Sequence, residues 1–292
     1  MQNIENKSQA YSFPPINRWR LPCHLHGNRL YFAPGWRAAL EEIGLSQDRN
    51  WDTLEPGEAI STSKRSKVRR VTLKNGETVY FKRYLMFGKP FRFFLRPGQA
   101  AVEIYSYRVM ARLGLPTAEP VAVGEIRRWG SLFASCIVTR EIPASISLKD
   151  YAISHWAFLP AEQRQQAFAT ISATICRHLQ LMHRNRFFHF DPKWRNILVR
   201  PGPDGTIAGL WWVDSPRGCR LPAGLAEYGK VRDLASLCRM ALSFMSRSQR
   251  LRFLHSYCGP GAGRKEIRRL ARKIDHTLQS KMPRIYNIEL KR

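Results

Sequence analysis

The sequence predicts an α+β fold of two lobes, a small β-rich N-terminal lobe and a larger helical C-terminal lobe. Short β-favouring runs separated by turn signals dominate the first half, whereas apolar residues at helical spacing dominate the second. The length of 292 residues and the apolar fraction of 44% suit a globular chain with two lobes. We therefore expect an N-terminal extension over residues 1–50, a β-rich lobe over 51–142, and a helical lobe over 143–292 that ends in a basic tail.

The strands of the first lobe are predicted by a turn signal. An Asn-Gly step in KNGE separates VRRVTL from TVYFKRYL, and such a step predicts a hairpin because its turn requires positive φ angles. Lys82 then lies on the second strand. Residues 98–117 have helical spacing and end in Gly114 and Pro116, which predicts a helix with Glu103 in its first turns. Two further strands are predicted in EPVAVGE and LFASCIVTREI.

The second lobe is predicted to be helical over residues 161–185, 230–245 and 263–279, where apolar residues recur at three- and four-residue steps. Two other stretches lie between these helices, FFHFDPKWRNILVR at 187–200 and the apolar run LWWVD.

The charge of the chain restricts its partners. The 48 Lys and Arg residues against 22 Asp and Glu give a net charge of +26, which favours encounters with polyanions. Nucleic acid, anionic lipid, phosphorylated glycan and acidic proteins all fit this charge. No nucleic-acid-reading motif accompanies it, so we expect no specific nucleic-acid binding.

Cysteine usage and hydropathy indicate the compartment. The 6 cysteines are scattered without a C-x-x-C pair, which predicts reduced thiols in a cytosolic setting. The N-terminus has no secretory signal pattern, and the most apolar stretch, around 131–138, is much shorter than the roughly 20 residues that span a bilayer. We expect a cytoplasmic protein that is soluble or lies on a membrane surface.

The sequence contains a set of polar residues that could supply the groups required for phosphoryl transfer, in kinase-like order. This chemistry needs a cation on the nucleotide phosphates, oxygen ligands for Mg²⁺ and a carboxylate that accepts the proton of the acceptor hydroxyl. The candidates, in chain order, are Lys82 in VYFKRY, Glu103 on the next helix, Asp191 and Asn196 in DPKWRNIL, and Asp214 at the end of LWWVD. Their order predicts a site for ATP and Mg²⁺.

These residues lie in stretches that resemble the protein-kinase-like fold, and within it the bacterial lipopolysaccharide core kinases of the InaA/WaaP type. The resembling stretches span roughly residues 60–260 and are VYFKRY, AAVEIY, LGLPTAEPVAVGE, VTREI, HFDPKWRNILV, WWVDSPRG, VRDLASL and SRSQRLRFLHSY. A single stretch is weak evidence, whereas their shared order is strong evidence.

The resemblance implies roles for the catalytic half of the site. Asp191 would be the catalytic base, and Lys193 would contact the transferring phosphoryl group. Asn196 and Asp214 would coordinate Mg²⁺. His189 would brace the loop, and Asp233 would support it from the following helix.

The resemblance also implies how ATP is held in the β-rich, nucleotide-binding lobe. Lys82 would bind the α- and β-phosphates, and Glu103 would orient Lys82. The segment TREI at 139–142, which includes Glu141, matches the linker whose backbone would bind adenine.

The chain departs from the kinase pattern in ways that bear on function. No G-x-G-x-x-G precedes Lys82; the corresponding place, AISTSKRSKVRRV, has serines and basic side chains instead. Phe190 replaces the arginine that often precedes the catalytic aspartate, and DSP replaces D-F-G. The interval from Asp214 to Asp233 is too short for a long peptide-docking segment, which favours a small or glycan acceptor.

Simpler interpretations exist for several of these residues. An Asp-x₄-Asn pair is common in turns, and a histidine in an aromatic run is commonly structural. Glu119 and Glu125 compete with Glu103 as the partner of Lys82, and Lys193 is equally well explained as a solvated lysine.

Three basic stretches, 63–70, 83–98 and the tail from 261, would normally be solvated faces. The second alternates cations with aromatic residues, a mixture suited to an anionic membrane interface. These aromatic residues are Tyr84, Phe87, Phe91, Phe93 and Phe94. Buried packing of the phenylalanines is the alternative.

The combined expectation is an ATP- and Mg²⁺-dependent kinase that phosphorylates a heptose or Kdo hydroxyl of the lipopolysaccharide inner core at the cytoplasmic face of the inner membrane. The alternative is a kinase-fold scaffold that acts through its basic surface on anionic lipid or an acidic protein. The acceptor sugar has no local signature in the sequence.

Overall fold

The computed structural model describes residues 24–85, 93–202 and 206–281. These residues form two compact units. The first contains the described residues up to Arg112 together with Ala118–Ile142, and the second contains Leu113–Thr117 and the described residues from Pro143 onward. Phe87 and Phe91 of the basic aromatic stretch, the first 23 residues and the chain beyond 281 lie outside the described ranges.

The first unit is built on a six-stranded antiparallel sheet. Its strands, in the spatial order β1-β5-β6-β4-β3-β2, are β1 (Gly27–Phe32), β2 (Glu58–Thr62), β3 (Ser66–Thr72), β4 (Thr78–Tyr84), β5 (Pro120–Arg128) and β6 (Ser131–Arg140). Two helices accompany it, α1 (Arg37–Glu42) and α2 (Gln99–Arg112), and α2 packs against β5 and β6. Trp51, Leu40 and Phe81 lie fully buried in the hydrophobic core on this sheet.

The predicted hairpin is confirmed. Strands β3 and β4 pair in antiparallel register, with Val68 opposite Lys82, and Gly76 has the positive φ of 82° that the turn requires. The predicted helix over 98–117 is also present but ends at Arg112, because Gly114 adopts a left-handed conformation with φ of 72°. Residues 24–50 supply β1 and α1, and β1 pairs with β5 at the edge of the sheet.

The second unit is mainly helical. Its helices are α3 (Leu148–Ser154), α4 (Ala161–Arg184), α5 (Ala226–Phe244), α6 (Arg247–Cys258) and α7 (Arg264–Lys281). Five short strands accompany them: β7 (Ile146–Ser147), β9 (Ile197–Pro201) and β10 (Ile207–Trp212) in one sheet, and β8 (Phe187–Phe188) and β11 (Cys219–Arg220) in another.

The three helices predicted in this region are confirmed as α4, α5 and α7. Helix α6 was not predicted, because only Tyr257 of its residues is buried and its apolar residues have no helical period. A capping box, in which Ser246 and Gln249 bond each other's backbone, begins this helix instead. The sheet in the first unit and the helices in the second confirm the predicted α+β class.

Within the described ranges, no helix is long and apolar enough to cross a membrane. The described cysteines form no disulfide, and burial raises the pKa of the Cys136 thiol far above its usual value.

Candidate active site

The loop that carries Asp191 is held between two short buried strands of the second unit. Phe187 and Phe188 of β8 precede it, and Ile197 of β9 follows it; all three side chains are buried. Trp194, at the centre of the loop, donates its indole N–H to the carbonyl of Leu237 on α5 at 3.1 Å. Apolar anchors on both sides therefore fix the position of the polar residues between them.

Three predicted residues meet at the centre of this loop. The Nζ of Lys193 lies 2.6 Å from Oδ1 of Asp191, and the Nδ2 of Asn196 donates to Oδ2 of Asp191 at 3.2 Å and to its backbone carbonyl at 2.9 Å. Lys193 and Asn196 thus bind opposite oxygens of one carboxylate. This arrangement orients Asp191 and keeps a cation beside it.

Asp233 organises the loop from α5. Its fully buried carboxylate accepts the backbone N–H of His189 at 2.9 Å and that of Phe190 at 2.7 Å. The ring of His183 lies 3.1 Å from the same carboxylate and 2.7 Å from the hydroxyl of Tyr257 on α6. Three elements, α4, α5 and α6, therefore converge on the residues that precede Asp191.

Asp214 lies just beyond β10 and beside Asn196. Its backbone has a φ of 58°, a left-handed conformation, and its carbonyl accepts from Nδ2 of Asn196 at 3.4 Å. The next residue, Ser215, is buried and donates its hydroxyl to the carbonyl of His189 at 3.2 Å. The structure thus brings Asp191, Asn196 and Asp214 together.

These residues fit an Mg²⁺ ion that is shared with phosphates. Within the described part of the chain, no three His, Cys, Asp or Glu residues form a ready-made metal cluster. Mg²⁺ is commonly bound by one or two carboxylates together with substrate phosphates and water, rather than by an all-protein cage. Asn196 donates through Nδ2, so its amide oxygen and the carboxylate of Asp214 are the oxygen ligands suited to such an ion.

Lys82 and Glu103 form an ion pair in the first unit. The Nζ of Lys82 on β4 lies 3.1 Å from Oε2 of Glu103 on α2, and both side chains are largely buried. Tyr84 donates its hydroxyl to the same oxygen, and Tyr107 donates to Oε1 at 2.8 Å. Glu103 is therefore the partner of Lys82, whereas Glu119 contacts Arg140 and Glu125 contacts Arg127.

Glu141, just beyond the end of β6, is bound by neighbouring side chains. Arg70 donates to both of its oxygens, at 2.8 and 3.1 Å, and Tyr80 donates to Oε1 at 3.2 Å. The hydrogen bonds from Arg70 lower the pKa of Glu141. Its backbone N–H donates to the carbonyl of Thr78, so both the side chain and the amide of this residue hold the sheet together.

The β2–β3 hairpin has a serine turn at the place where the glycine loop of the kinase pattern is missing. The hydroxyl of Ser63 accepts the backbone N–H of Arg65 at 3.2 Å and that of Ser66 at 3.0 Å. Counted back from Val68, Ser61, Ser63 and Ser66 occupy the three glycine positions of G-x-G-x-x-G-x-V. None of the residues 61–66 has a positive φ, so glycine is not required there. Lys64 and Arg65 are exposed at the tip.

The sequence prediction missed several residues that support the site. The contacts of Tyr84 with Glu103, of His183 with Asp233 and of Tyr257 with His183 join residues that are distant in sequence. The Tyr107 contact follows the i, i+4 spacing of a helix and offered a local signal. The match of Ser61, Ser63 and Ser66 to the three glycine positions could also have been found from their spacing to Val68.

The fold belongs to the kinase-like class. A solved structure titled "WaaP in complex with acyl carrier protein" matches this chain with a TM-score of 0.61 and 20% identity, and the match covers 88% of this chain and 99% of that chain. The predicted kinase-like fold is thereby confirmed.

The family model described as the lipopolysaccharide kinase (Kdo/WaaP) family matches residues 64–257, and the chain belongs to this family. The resemblance noted in the sequence is confirmed, and membership of a kinase family supports a phosphotransferase that acts in lipopolysaccharide core synthesis. No curated protein matches the chain.

Proposed function

We propose that this protein transfers the γ-phosphate of ATP to a sugar hydroxyl, of heptose or Kdo, in the lipopolysaccharide inner core. The observation that carries the proposal is the contact of Lys193 and Asn196 with opposite oxygens of Asp191, beside Asp214. A non-catalytic scaffold would not require a carboxylate oriented in this way beside the oxygen ligands of Asn196 and Asp214.

Each residue has a chemical task in the proposed reaction. Asp191 accepts the proton of the sugar hydroxyl as the oxygen attacks, and Lys193 neutralises charge on the transferring group. Lys82, held by Glu103, binds the nucleotide phosphates. Asn196 and Asp214 would hold Mg²⁺, which supplies charge neutralisation on the phosphate oxygens.

The acceptor is proposed to be a glycan because only a short segment separates Asp214 from α5, which begins at Ala226. The short strand β11 and a single 3₁₀ turn, Ala223–Leu225, lead directly into α5. A protein substrate normally docks on a longer activation segment at this position. The net charge of +26 suits a core sugar that carries carboxylates and phosphates at the cytoplasmic face of the inner membrane.

The test is transfer of labelled γ-phosphate from ATP to purified core oligosaccharide with Mg²⁺. We expect label on the glycan with the wild type and at least a 100-fold lower rate with Asp191→Ala, about the scale of general-base catalysis. The control is Asp48→Ala, which removes an exposed carboxylate from the first unit. Mass analysis of the product identifies the sugar.

Two results would contradict the proposal. Equal rates for the wild type and Asp191→Ala would remove Asp191 as the base. No transfer by a wild type that is also not stabilised by ATP and Mg²⁺ would favour the scaffold alternative, in which the basic surface binds anionic lipid or an acidic protein.

We also propose an acidic acyl carrier protein as a partner. The second unit contains a cavity of about 840 Å³, within the range of small-molecule sites. Phe168, Ile171, Leu237 and Leu254 supply part of its apolar wall. Four arginines also line it, namely Arg247, Arg250, Arg268 and Arg272. An acyl chain fits the apolar wall, and an acidic carrier surface fits the arginines.

Two variants separate the acyl and protein contributions to this binding. Ala241→Trp places a large ring in the cavity lining and is expected to weaken binding of the acylated carrier but not of the unacylated one. Arg250→Glu with Arg268→Glu is expected to weaken both. Lys74→Glu, on an exposed turn of the first unit, is the control for charge reversal. Equal binding by all variants in gel filtration would exclude this cavity as the site.

A further inference from the structure

Large apolar side chains are exposed together around the turn between β5 and β6. Trp129 is 81% exposed, and Leu25, Phe94, Leu95 and Phe133 are between 44% and 53% exposed. We refer to these five residues as the tryptophan surface. Exposed apolar residues that stand alone are common, whereas a contiguous group marks an interaction site.

Backbone contacts join the three chain segments of the tryptophan surface. The N–H of Leu95 donates to the carbonyl of Gly130 at 3.1 Å, and the N–H of Gly130 donates to the carbonyl of Leu25 at 2.7 Å. A Cβ at Gly130 would lie 3.1 Å from Leu95 and 3.2 Å from Phe94. The apolar residues are therefore neighbours in space.

A buried ion pair fixes the same segments from below. Arg127 is completely buried and pairs with Glu125 at 2.9 Å. Its guanidinium also donates to the carbonyls of Gly130 at 3.1 Å and Arg96 at 2.8 Å. Because one guanidinium binds the backbone at both Arg96 and Gly130, the tryptophan surface is organised before any partner binds.

The backbone conformation is unusual for these side chains. Trp129 and Gly130 have φ angles of 48° and 82° at the two central positions of the hairpin turn, as in a type I′ turn. This turn favours Asn, Asp or Gly, yet the chain has tryptophan at its first central position. Leu95 is also left-handed, with φ of 51°. Bulky residues in this conformation are true outliers, and such strain is concentrated at functional positions.

The charges around the tryptophan surface are positive. Arg96 and Arg128 are exposed, and the guanidinium of Arg128 lies 4.9 Å from the ring centre of Phe133. The ring of His26 lies 5.0 Å from that of Trp129, and the two ring planes are tilted by 54°. The segments 24–26, 93–98 and 126–133 contain no Asp or Glu. The tryptophan surface thus combines tryptophan and phenylalanine with arginine, and the three segments that form it contain no acidic residue.

We propose that the tryptophan surface docks this protein on an anionic lipid bilayer. Tryptophan is enriched where a protein meets the bilayer interface, because its ring is apolar with one polar edge. The exposed arginines face anionic head groups, and the apolar side chains enter the head-group region. The proposal is independent of the phosphoryl transfer proposed above, since none of these residues belongs to the candidate active site.

The test measures sedimentation of the full chain with vesicles of phosphatidylcholine alone or mixed with phosphatidylglycerol. Trp129→Asn is the informative variant, because asparagine suits the type I′ turn and removes the apolar ring without threatening the fold. We expect at least a tenfold weaker binding of Trp129→Asn to the mixed vesicles and weak binding of the wild type to phosphatidylcholine alone. Phe158→Asn is the matched control, since Phe158 is 73% exposed in the second unit.

Activity on soluble core oligosaccharide distinguishes this proposal from the proposed function. We expect Trp129→Asn to keep the wild-type rate there, so loss of vesicle binding with retained activity supports both. Unchanged vesicle binding by both Trp129→Asn and Leu95→Asn would overturn the docking proposal. Equal losses of vesicle binding in Trp129→Asn and Phe158→Asn would also overturn it. The same holds if Trp129→Asn loses binding to an acidic carrier protein while its vesicle binding is intact.

Discussion

The carboxylate of Asp233 accepts the backbone N–H of Phe190 at 2.7 Å and holds that residue in a left-handed conformation with φ of 60°. Phe190 immediately precedes Asp191, so this contact sets the direction in which the chain enters the candidate catalytic loop. The same carboxylate accepts the N–H of His189, and both bonds are shielded from solvent by complete burial of Asp233.

We expect Asp233→Asn to lower activity through the position of Asp191. In asparagine an NH2 group replaces one of the two acceptor oxygens. This donor would face a backbone N–H, which destabilises the fold by about 2–3 kcal/mol. The rate constant kcat should fall more than KM rises, because the acceptor and ATP contacts are unchanged. Thermal unfolding and steady-state kinetics check this; a change in KM alone would contradict a positioning role.

Tyr107→Phe should weaken the support of Glu103 without removing the ion pair to Lys82. It deletes one hydrogen bond to the buried Oε1, and the expected loss of stability is about 1–2 kcal/mol. Lys82→Met should instead abolish phosphoryl transfer while Glu103 keeps its two tyrosine donors. Thermal melts with and without ATP compare the variants, and ATP should stabilise Tyr107→Phe but not Lys82→Met.

We propose that Lys64 and Arg65, exposed at the tip of the β2–β3 hairpin, bind the phosphates of ATP, and the double variant Lys64→Ala with Arg65→Ala tests this. Each exposed cation that meets a phosphate contributes about 1 kcal/mol, so the KM for ATP should rise about 10- to 30-fold. Lys74→Ala, at the exposed β3–β4 turn, is the matched control and should change nothing. An identical KM in the double variant and the control would show that the phosphates are held elsewhere.

His178 predicts a loss of stability in mild acid. Burial lowers the pKa of His178 to about 4 from 6.5, and its Nδ1 accepts the indole N–H of Trp212 at 2.9 Å. As the pH falls, His178 is therefore protonated in the unfolded chain before it is protonated in the folded protein. The contribution of neutral His178 to the free energy of unfolding is complete above pH 6.5 and is lost as the pH falls towards 4. Solvent screening of the partly buried ring limits the loss to about 1–2 kcal/mol.

The variant His178→Gln checks this origin. Glutamine offers an acceptor to Trp212 but does not titrate, so its free energy of unfolding should vary less with pH between 6.5 and 4 than that of the wild type. Urea titrations at several pH values measure the difference. Parallel curves for the two proteins would assign the acid sensitivity to another group.

Trp129→Asn should stabilise the fold. A left-handed conformation is unfavourable by about 1 kcal/mol or more for a bulky L-residue, and asparagine adopts it readily. We expect a higher melting temperature for Trp129→Asn and a lower one for Trp129→Val, whose β-branched side chain suits this φ least. A fall in the melting temperature of Trp129→Asn would mean that the exposed ring contributes to folding.

Most of the secondary structure could be predicted because its signals are local. The Asn-Gly step placed the β3–β4 hairpin, and apolar spacing placed α4, α5 and α7. Helix α6 and strand β1 lack such a period. A capping box begins α6, and β1 depends on a partner strand far along the chain.

The candidate site could be predicted in part for the same reason. Asp191, Lys193 and Asn196 share one loop, so their proximity follows from their spacing. The choice of Glu103 over Glu119 and Glu125 required the tertiary structure, because all three are close in sequence and only packing decides which one faces Lys82.

The fold class, the family and the order of the candidate catalytic residues could all be inferred from the sequence, since contiguous residues carry these signals. The surroundings of these residues became visible in the folded protein: the hydrogen bonds of Asp233 to the catalytic loop, the tyrosines around Glu103, the apolar cavity and the tryptophan surface. Apart from the contact of Tyr107 with Glu103 within α2, each of these joins segments that are remote in the chain. Their contacts depend on packing in three dimensions, which leaves no periodic pattern in the sequence.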